Sequence, residues 1–391
     1  YPKIALAQSI IEILSAKGIV NIIISPGSRN APLTIGFAQN SNFTCYSIAD
    51  ERCAAFFALG IAQQTKQPTA IVCTSGSALL NYYPAFAEAF YSQIPLIVIS
   101  ADRPQSKIDI GDGQTIRQEN VFSNHSVFNA NLTEEASEEN DLKINLAIET
   151  AIQKKGPVHI NAPFEEPLYE TTEELSVQPI ITNPEPEAFP LAIENSDDIV
   201  SIWNTAKRKL ILVGVNEANA IDKEVIENLA SDPSIVVLTE TTSNLHHPSF
   251  INSIDTLITP FDDFDFKKFN PQVLITFGGM VVSKRIKGFL RKYKPEHHWH
   301  IDTLRAYDTF GALTKHFEMQ PNDFFKDLLS KITFVKSNYF NNVDTVYQTR
   351  LERRKEYLSK IEFSDFKVFE KVIESLPKNS LLQISNSSAI R

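Results

Sequence analysis

The chain of 391 residues lacks most of what marks a secreted, membrane-bound or nucleic-acid-binding protein. It has three cysteines, Cys45, Cys53 and Cys73, an odd number placed in segments expected to be core. That speaks against a disulfide framework and for a reducing cytoplasm. Basic charge is scarce: 37 Lys and Arg against 47 Asp and Glu leave a net charge of -10. Nucleic acid or an anionic membrane surface is therefore not expected as the main partner. No apolar run approaches the ~20 residues of a membrane span, and the opening YPKIALAQSI has no signal-peptide pattern. A G-x-G-x-x-G dinucleotide fingerprint is missing as well.

What is present is apolar content of 43%, ample for packed interiors, and a length suggesting two or three domains. Apolar strand-like runs at 20–24, 43–48, 69–73 and 95–101 alternate with stretches of helical spacing. This predicts an α/β fold in which successive domains are doubly wound parallel sheets, with ligand-facing loops at the carboxyl ends of the strands. The loops so placed are Ser25-Pro26-Gly27-Ser28-Arg29, Asp50-Glu51, Thr74-Ser75-Gly76-Ser77 and Asp102-Arg103-Pro104. The irregular stretch 105–124 reads as a lid over the same crevice, to which Gln114 and Arg117 are suited. A helix at 145–154 and a strand at 157–161 close the first domain, and 165–189, rich in Glu, Pro and Thr, reads as a linker.

A second α/β unit is expected from strands at 210–215, 235–239, 272–277 and 298–301. After a charged helical stretch at 347–364 and a helix at 368–376, the apolar run 381–384 reads as a strand opening a third unit. The chain lacks an initiator Met and its end looks cut. His298 and His300 share a strand face with no third ligand identifiable, so a metal centre is not expected there. The basic run Lys284-Arg285, Lys287, Arg291, Lys292 and Lys294 reads as a solvated helix face, except for the first pair near the Gly278-Gly279 turn.

The chemistry centres on Glu51. Asp50 is a good N-cap, which puts Glu51 in the first turn of a helix whose run 53–62 is too apolar for a surface helix. The helix dipole favours its charged form, whereas Phe56 and Phe57 are expected to desolvate it. Either it merely compensates a dipole, or it is a proton relay facing a cofactor.

Five stretches bear on that choice: Ser25 to Thr34 (SPGSRNAPLT), Asp50-Glu51-Arg52 with its apolar helix, Cys73-Thr74-Ser75-Gly76-Ser77-Ala78, Asn81-Tyr82-Tyr83-Pro84-Ala85 and Ala101-Asp102-Arg103-Pro104. Together with Gln114-Thr115-Ile116, Asn386-Ser387 and Ile390-Arg391 they resemble the MenD family, thiamine-diphosphate-dependent synthases of the menaquinone pathway. The likeness is dense over the first domain and thinner over the second. Arg117 departs from the family pattern, where an acid is frequent, and Ser77 stands where Thr is common.

The resemblance implies a pyrimidine-binding domain at 1–170, a linker at 171–190, a central domain at 191–345 and the truncated beginning of a diphosphate-binding domain at 346–391. It implies thiamine diphosphate with Mg²⁺ (or Mn²⁺), the metal site lying in a further C-terminal domain, and a homodimer or homotetramer with shared active sites. Glu51 is then the catalytic residue and, with Pro26, Gly27, Thr74, Ser75 and Gly76, lies against the cofactor. Ser28, Arg29, Arg103, Gln114, Lys284, Arg285, Ser387 and Arg391 hold the carboxylates of 2-oxoglutarate and isochorismate, a task suited to the planar guanidinium fork. Gly111-Asp112-Gly113 lies in the lid and is rejected as the metal site. The chain as it stands is expected to be inactive. Another thiamine-dependent 2-oxo-acid decarboxylase or synthase, or a non-catalytic module that kept the fold, are the alternatives.

Overall fold

The computed structural model describes residues 1–184 and 188–384, and the chain divides into two compact units, Tyr1–Glu187 and Ala188–Arg391. In the first unit the strands are β1 (Asn21–Ile24), β2 (Thr44–Ser47), β3 (Thr69–Cys73), β4 (Leu96–Asp102), β5 (Phe128–Asn131) and β6 (Val158–Pro163). They pair in the order β2-β1-β3-β4-β6-β5, every pair parallel. The central strands are apolar along their whole length because both faces are covered. Ala70 and Val72 of β3 face a core with the helices Ala5–Ala16, Ala31–Gln39 and Glu138–Gln153, whereas Ile71 and Cys73 face the helices Glu51–Thr65 and Tyr83–Ser92.

The second unit repeats the plan with β7 (Lys209–Val213), β8 (Ile235–Leu238), β9 (Val273–Phe277), β10 (His297–Ile301) and β11 (Lys315–Phe317). Their order is β11-β10-β9-β7-β8, again all parallel. Ile211 and Val213 of β7 serve one core and Leu210 and Leu212 the other. The doubly wound architecture expected from the alternation of apolar runs is what the chain adopts.

The departures are local. Strands β5 and β11 carry polar residues, Asn129 and Asn131 in one and Lys315 and His316 in the other, and sit at sheet edges where one side needs no partner. The helix expected at 145–154 begins earlier, at Glu138, because Ser137 caps it through the Asn140 N–H, 3.2 Å away, and its acidic first turn hides its periodicity. The run 381–384 is no strand: Leu381, Leu382 and Ile384 are exposed coil. The segment read as a linker is irregular but strapped to the first unit. Thr171 bridges to Pro2, the Ser176 N–H donates to Gln8 Oε1 at 2.8 Å, and Asn145 Oδ1 accepts from the Thr182 N–H at 3.0 Å. Of the cysteines, Cys73 is buried, Cys45 half-buried and Cys53, expected in the core, exposed. All three are free. No helix among the described residues is long and apolar enough to cross a membrane.

Strand β6 carries a buried histidine, His159, whose Nε2 shares a hydrogen bond of 2.7 Å with Ser100 Oγ of β4 while the Phe122 ring stands edge-on to it. Burial drives its pKa from 6.5 down to about 3. In the unfolded chain the ring takes up a proton near pH 6.5, so from there down to about pH 3 the unfolded state binds more protons than the folded one. Stability therefore falls as pH drops through that window, by up to about 1.4 kcal/mol per pH unit from this side chain. His159→Gln should flatten the fall in denaturant midpoint between pH 6.5 and 5, and an unchanged slope would refute the assignment.

Candidate functional site

Strand order in the first sheet reverses between β1 and β3, so the loops that leave their carboxyl ends turn to opposite faces and open a crevice. The two loops meet there. A Cβ on Gly27 would stand 2.4 Å from Thr74 Cβ, so glycine alone lets the backbones approach this closely. The Arg29 N–H donates to Thr74 Oγ1 at 3.3 Å, and the Asn30 amide donates to the Ser25 carbonyl at 3.0 Å, pinning the turn that carries Pro26 and Ser28. Gly76 has φ +88, a conformation that penalises any side chain, and a Cβ there would come within 3.2 Å of the Gln114 carbonyl.

Glu51 arrives from the end of β2. The Asp50 carboxylate caps its helix by accepting from the Cys53 N–H at 2.8 Å, and that bond holds Asp50 below the usual carboxylate range. Glu51 is half-buried, and its Oε2 accepts from Asn81 Nδ2 at 3.3 Å. Its charge reaches two buried neighbours. Burial above all, with a contribution from Glu51, pushes the Cys73 thiol and the Tyr82 hydroxyl up.

The expectation of a buried helix fails here. The helix buries Ala54, Ala55, Ala58, Leu59 and Ala62, a small-residue face that lets it lie close to the sheet, and turns its aromatic rings outward. Phe56 is 46% and Phe57 43% exposed, so within this chain they do not shield Glu51. Density of apolar residues was taken for burial, whereas the face they occupy decides it.

The guanidinium of Arg29 is only 4% exposed and is already engaged. It donates to the Phe164 carbonyl at 2.8 Å and to Glu166 Oε1 at 3.2 Å. Burial, then the nearby charge of Arg103, holds its pKa below the ordinary value. Arg103 lies 3.6 Å from the Asp112 carboxylate, and its buried Nε has no partner. Behind it Asp102 is raised by burial, an effect opposed by the hydrogen bond from Asn161.

In the lid, Gln114 is exposed and has a positive φ of 56, so its backbone rather than its side chain meets Gly76. Arg117 turns outward to Asp109, 2.9 Å away. Two residues that the sequence reading passed over point inward: Gln118, 1% exposed, and Asn161, 4% exposed, within β6. Gln118 was hidden in an aperiodic loop. Only the alternation of Arg117 out and Gln118 in, invisible without the fold, distinguishes it.

In the second unit, Lys284 and Arg285 are exposed at the start of the helix Lys284–Lys292, capped by Ser283. Glu240 accepts from the Val282 and Ser283 N–H groups, each at 2.7 Å, so a carboxylate of the chain itself already lies at this turn. The later basic residues have partners: Arg291 donates to the Thr309 carbonyl at 2.9 Å and Lys292 pairs with Asp263 at 2.9 Å. Thr276 Oγ1 ties His298 and His300 together, at 2.9 and 2.8 Å. Among the described residues no group of three or more His, Cys, Asp or Glu is placed to hold a metal ion. Ser387 and Arg391 lie outside the described residues.

Comparison with known proteins follows the two units. Residues 4–144 match the model of the N-terminal TPP binding domain of thiamine pyrophosphate enzymes, and 190–384 match the thiamine pyrophosphate middle domain. The fold is thus that of a thiamine-diphosphate enzyme. A 2-succinyl-5-enolpyruvyl-6-hydroxy-3-cyclohexene-1-carboxylate synthase of Flavobacterium johnsoniae is 81% identical over 392 residues, all of this chain and 71% of its own length. Enzymes of the same name from Flavobacterium psychrophilum and Christiangramia forsetii are 66% and 49% identical, again over the whole of this chain, and 71% and 72% of their own lengths are covered. The chain belongs to this family of synthases.

The crevice geometry gives opposite signs to one chemical change at two sites. Gly27→Ala should destabilise by about 1–3 kcal/mol, because backbone must shift to relieve the contact with Thr74. Gly60→Ala, in the Glu51–Thr65 helix with open space around it, should stabilise by roughly 0.5–1 kcal/mol. Denaturant midpoints of the two variants test this, and a neutral Gly27→Ala would show that the loops are not in contact.

Proposed function

We propose that this protein takes part in thiamine-diphosphate-dependent decarboxylation of 2-oxoglutarate and 1,4-addition of the succinyl unit to isochorismate. The product is 2-succinyl-5-enolpyruvyl-6-hydroxy-3-cyclohexene-1-carboxylate, in menaquinone biosynthesis. On this reading 1–170 is the pyrimidine-binding domain, 171–190 joins it to a central domain at 191–345, and 346–391 begins a diphosphate-binding domain.

The observation that carries the reading is a carboxylate, Glu51, in the first turn of a helix beside a crevice formed by two bare-backbone turns and a buried guanidinium. The residues fit the cofactor. Ser75 Oγ is buried without a partner, a polar atom left for a ligand, and Gly27 and Gly76 let the turns close on Thr74 and on the Gln114 backbone around it. Pro26, Gly27, Thr74, Ser75 and Gly76 would line the pyrimidine, and Glu51 would hold or pass a proton at one of its ring nitrogens. Bound thiamine diphosphate supplies both the nucleophile and the electron sink, so no activated Ser, Cys or Lys is needed.

Arg29, buried, and Arg103, half-buried, supply positive charge for the substrate carboxylates, with Ser28 and Gln114 at the rim and Lys284, Arg285, Ser387 and Arg391 as further contributors. Arg29 meets a substrate by exchanging Glu166, whose side chain is 65% exposed, for another carboxylate. Mg²⁺ or Mn²⁺ is the proposed metal, with ligands outside the described residues. Asp112 is not one of them, since its carboxylate accepts from the Gly113 N–H at 2.9 Å and faces Arg103. The exposed rings of Phe56 and Phe57, with Leu80 at 43%, support a homodimer or homotetramer in which another subunit covers the rim beside Glu51. We assign the enzyme to the cytoplasm.

With thiamine diphosphate and Mg²⁺, the intact protein should release carbon dioxide from 2-oxoglutarate and form product only when isochorismate is added. Turnover of pyruvate with neither substrate consumed would overturn the assignment. Glu51→Gln should leave the fold unchanged and slow hydrogen–deuterium exchange at the thiazolium carbon by about 10²-fold or more. Exchange at the wild-type rate would remove Glu51 from the role.

A further inference from the structure

Behind the crevice runs a chain of buried polar groups that no residue at its rim accounts for. Gln118 Oε1 accepts from the Gly76 N–H at 2.7 Å, and Gln118 Nε2 donates to Asn161 Oδ1 at 2.9 Å and more weakly to the Ala101 carbonyl at 3.3 Å. Asn161 Nδ2 in turn donates to Asp102 Oδ2 at 2.8 Å, and Asp102 Oδ1 accepts from the Arg103 N–H at 2.8 Å. Ser100 Oγ adds a donor to Asn161 Oδ1 at 2.7 Å and ties the end of the chain to His159. Gln118, Asn161 and Asp102 are 1%, 4% and 4% exposed, so water cannot replace a lost partner.

Each amide in this chain is oriented by its neighbours. Asn161 must present its oxygen to Gln118 and Ser100, because of its two amide atoms only the nitrogen can donate to the Asp102 carboxylate. Gln118 must then present its nitrogen to Asn161, which leaves its oxygen for Gly76. One arrangement satisfies all of them, and it spans the crevice from the turn after β3 to the turn after β4. The Gly76 end has no acceptor within its own helical turn, because Gly76 is the first residue of Gly76–Tyr82 and first-turn N–H groups have no intrahelical partner.

We propose that Gln118 is a positioning residue for the reaction, one that holds the Ser75-Gly76 turn and, through Asn161 and Asp102, the backbone of Arg103 in one fixed relation. The proposal rests on the reading of the crevice as the cofactor and carboxylate site. Gln118 touches neither ligand; it sets the distance between the groups that do. Losing it frees the Gly76 N–H and the Asn161 amide at once, so both ends of the crevice loosen together. Losing Asn161 instead leaves the bond between Gln118 and Gly76 in place and disturbs the Asp102-Arg103 end.

The test compares Gln118→Met, Gln118→Glu and Asn161→Ala in the intact protein. Calorimetric titration with thiamine diphosphate and Mg²⁺ gives cofactor affinity without turnover, and steady-state assays with 2-oxoglutarate and isochorismate separate KM from kcat. Gln118→Met should weaken cofactor binding about tenfold, the equivalent of one buried hydrogen bond, and raise KM for 2-oxoglutarate by a similar factor. Gln118→Glu keeps an acceptor for Gly76 but sets a carboxylate against Asn161 Oδ1 and cannot donate to it, so it should spare cofactor affinity to within about threefold and raise KM, as should Asn161→Ala. If Gln118→Met does not fold, the split between affinity and KM in the other two decides. Unchanged affinity and KM in a Gln118→Met protein of lowered melting temperature would overturn the proposal and leave Gln118 a packing residue. Failure of the wild type to bind thiamine diphosphate would instead overturn the reading of the crevice, and the proposal with it.

Discussion

Everything at the site follows from one constraint of parallel sheets: side-by-side strands joined by crossover helices leave a gap only where the strand order reverses. Here the reversal falls between β1 and β3. The sheet is buried on both faces, so its strands cannot shift to widen or close the gap without exposing a core. Two turns are forced against each other at its mouth, and glycine is required where they touch, at Gly27, and where one of them doubles back, at Gly76. β2 and β4, on either side, deliver Glu51 and Arg103 to the same end of the sheet.

The electrostatics are set by that placement. Positive charge is buried deeply at Arg29 and half-buried at Arg103, close enough for one to depress the other. Two like charges in a crevice are costly unless anions offset them, and Glu166 and Asp112 do so in this structure. Of the two, Glu166 is the more exposed, at 65% of its side chain. Glu51 stands apart from these pairs, held by the Asn81 amide and the first turn of its helix.

Much of this was legible in the sequence. Strand runs such as TAIVC and LIVIS are buried on both faces and so read as unbroken apolar stretches, and the turn chemistry after each one marks the carboxyl end of the sheet. The motifs there bring Gly27, Arg29, Thr74, Gly76 and Arg103 together in the fold. What could not be read depends on which way a side chain faces. Phe56 and Phe57 look like core by composition and lie on the outside because Ala54, Ala55 and Ala58 take the inner face. Gln118 and Asn161 look like ordinary polar residues and are buried because each satisfies the other. The irregular strap at 171–182 has no periodicity, yet its backbone groups find partners on Gln8, Asp141 and Asn145.

The central claim is that the switch-point crevice of the first unit receives the pyrimidine end of the cofactor, with Glu51 as its proton partner. The most direct measurement is an experimental structure of the intact protein bound to thiamine diphosphate and Mg²⁺. The account predicts a Glu51 carboxylate oxygen about 2.6–3.2 Å from a pyrimidine ring nitrogen, with the ring against the Ser75-Gly76 turn. A cofactor bound elsewhere, with Glu51 still paired to Asn81 alone, would contradict it.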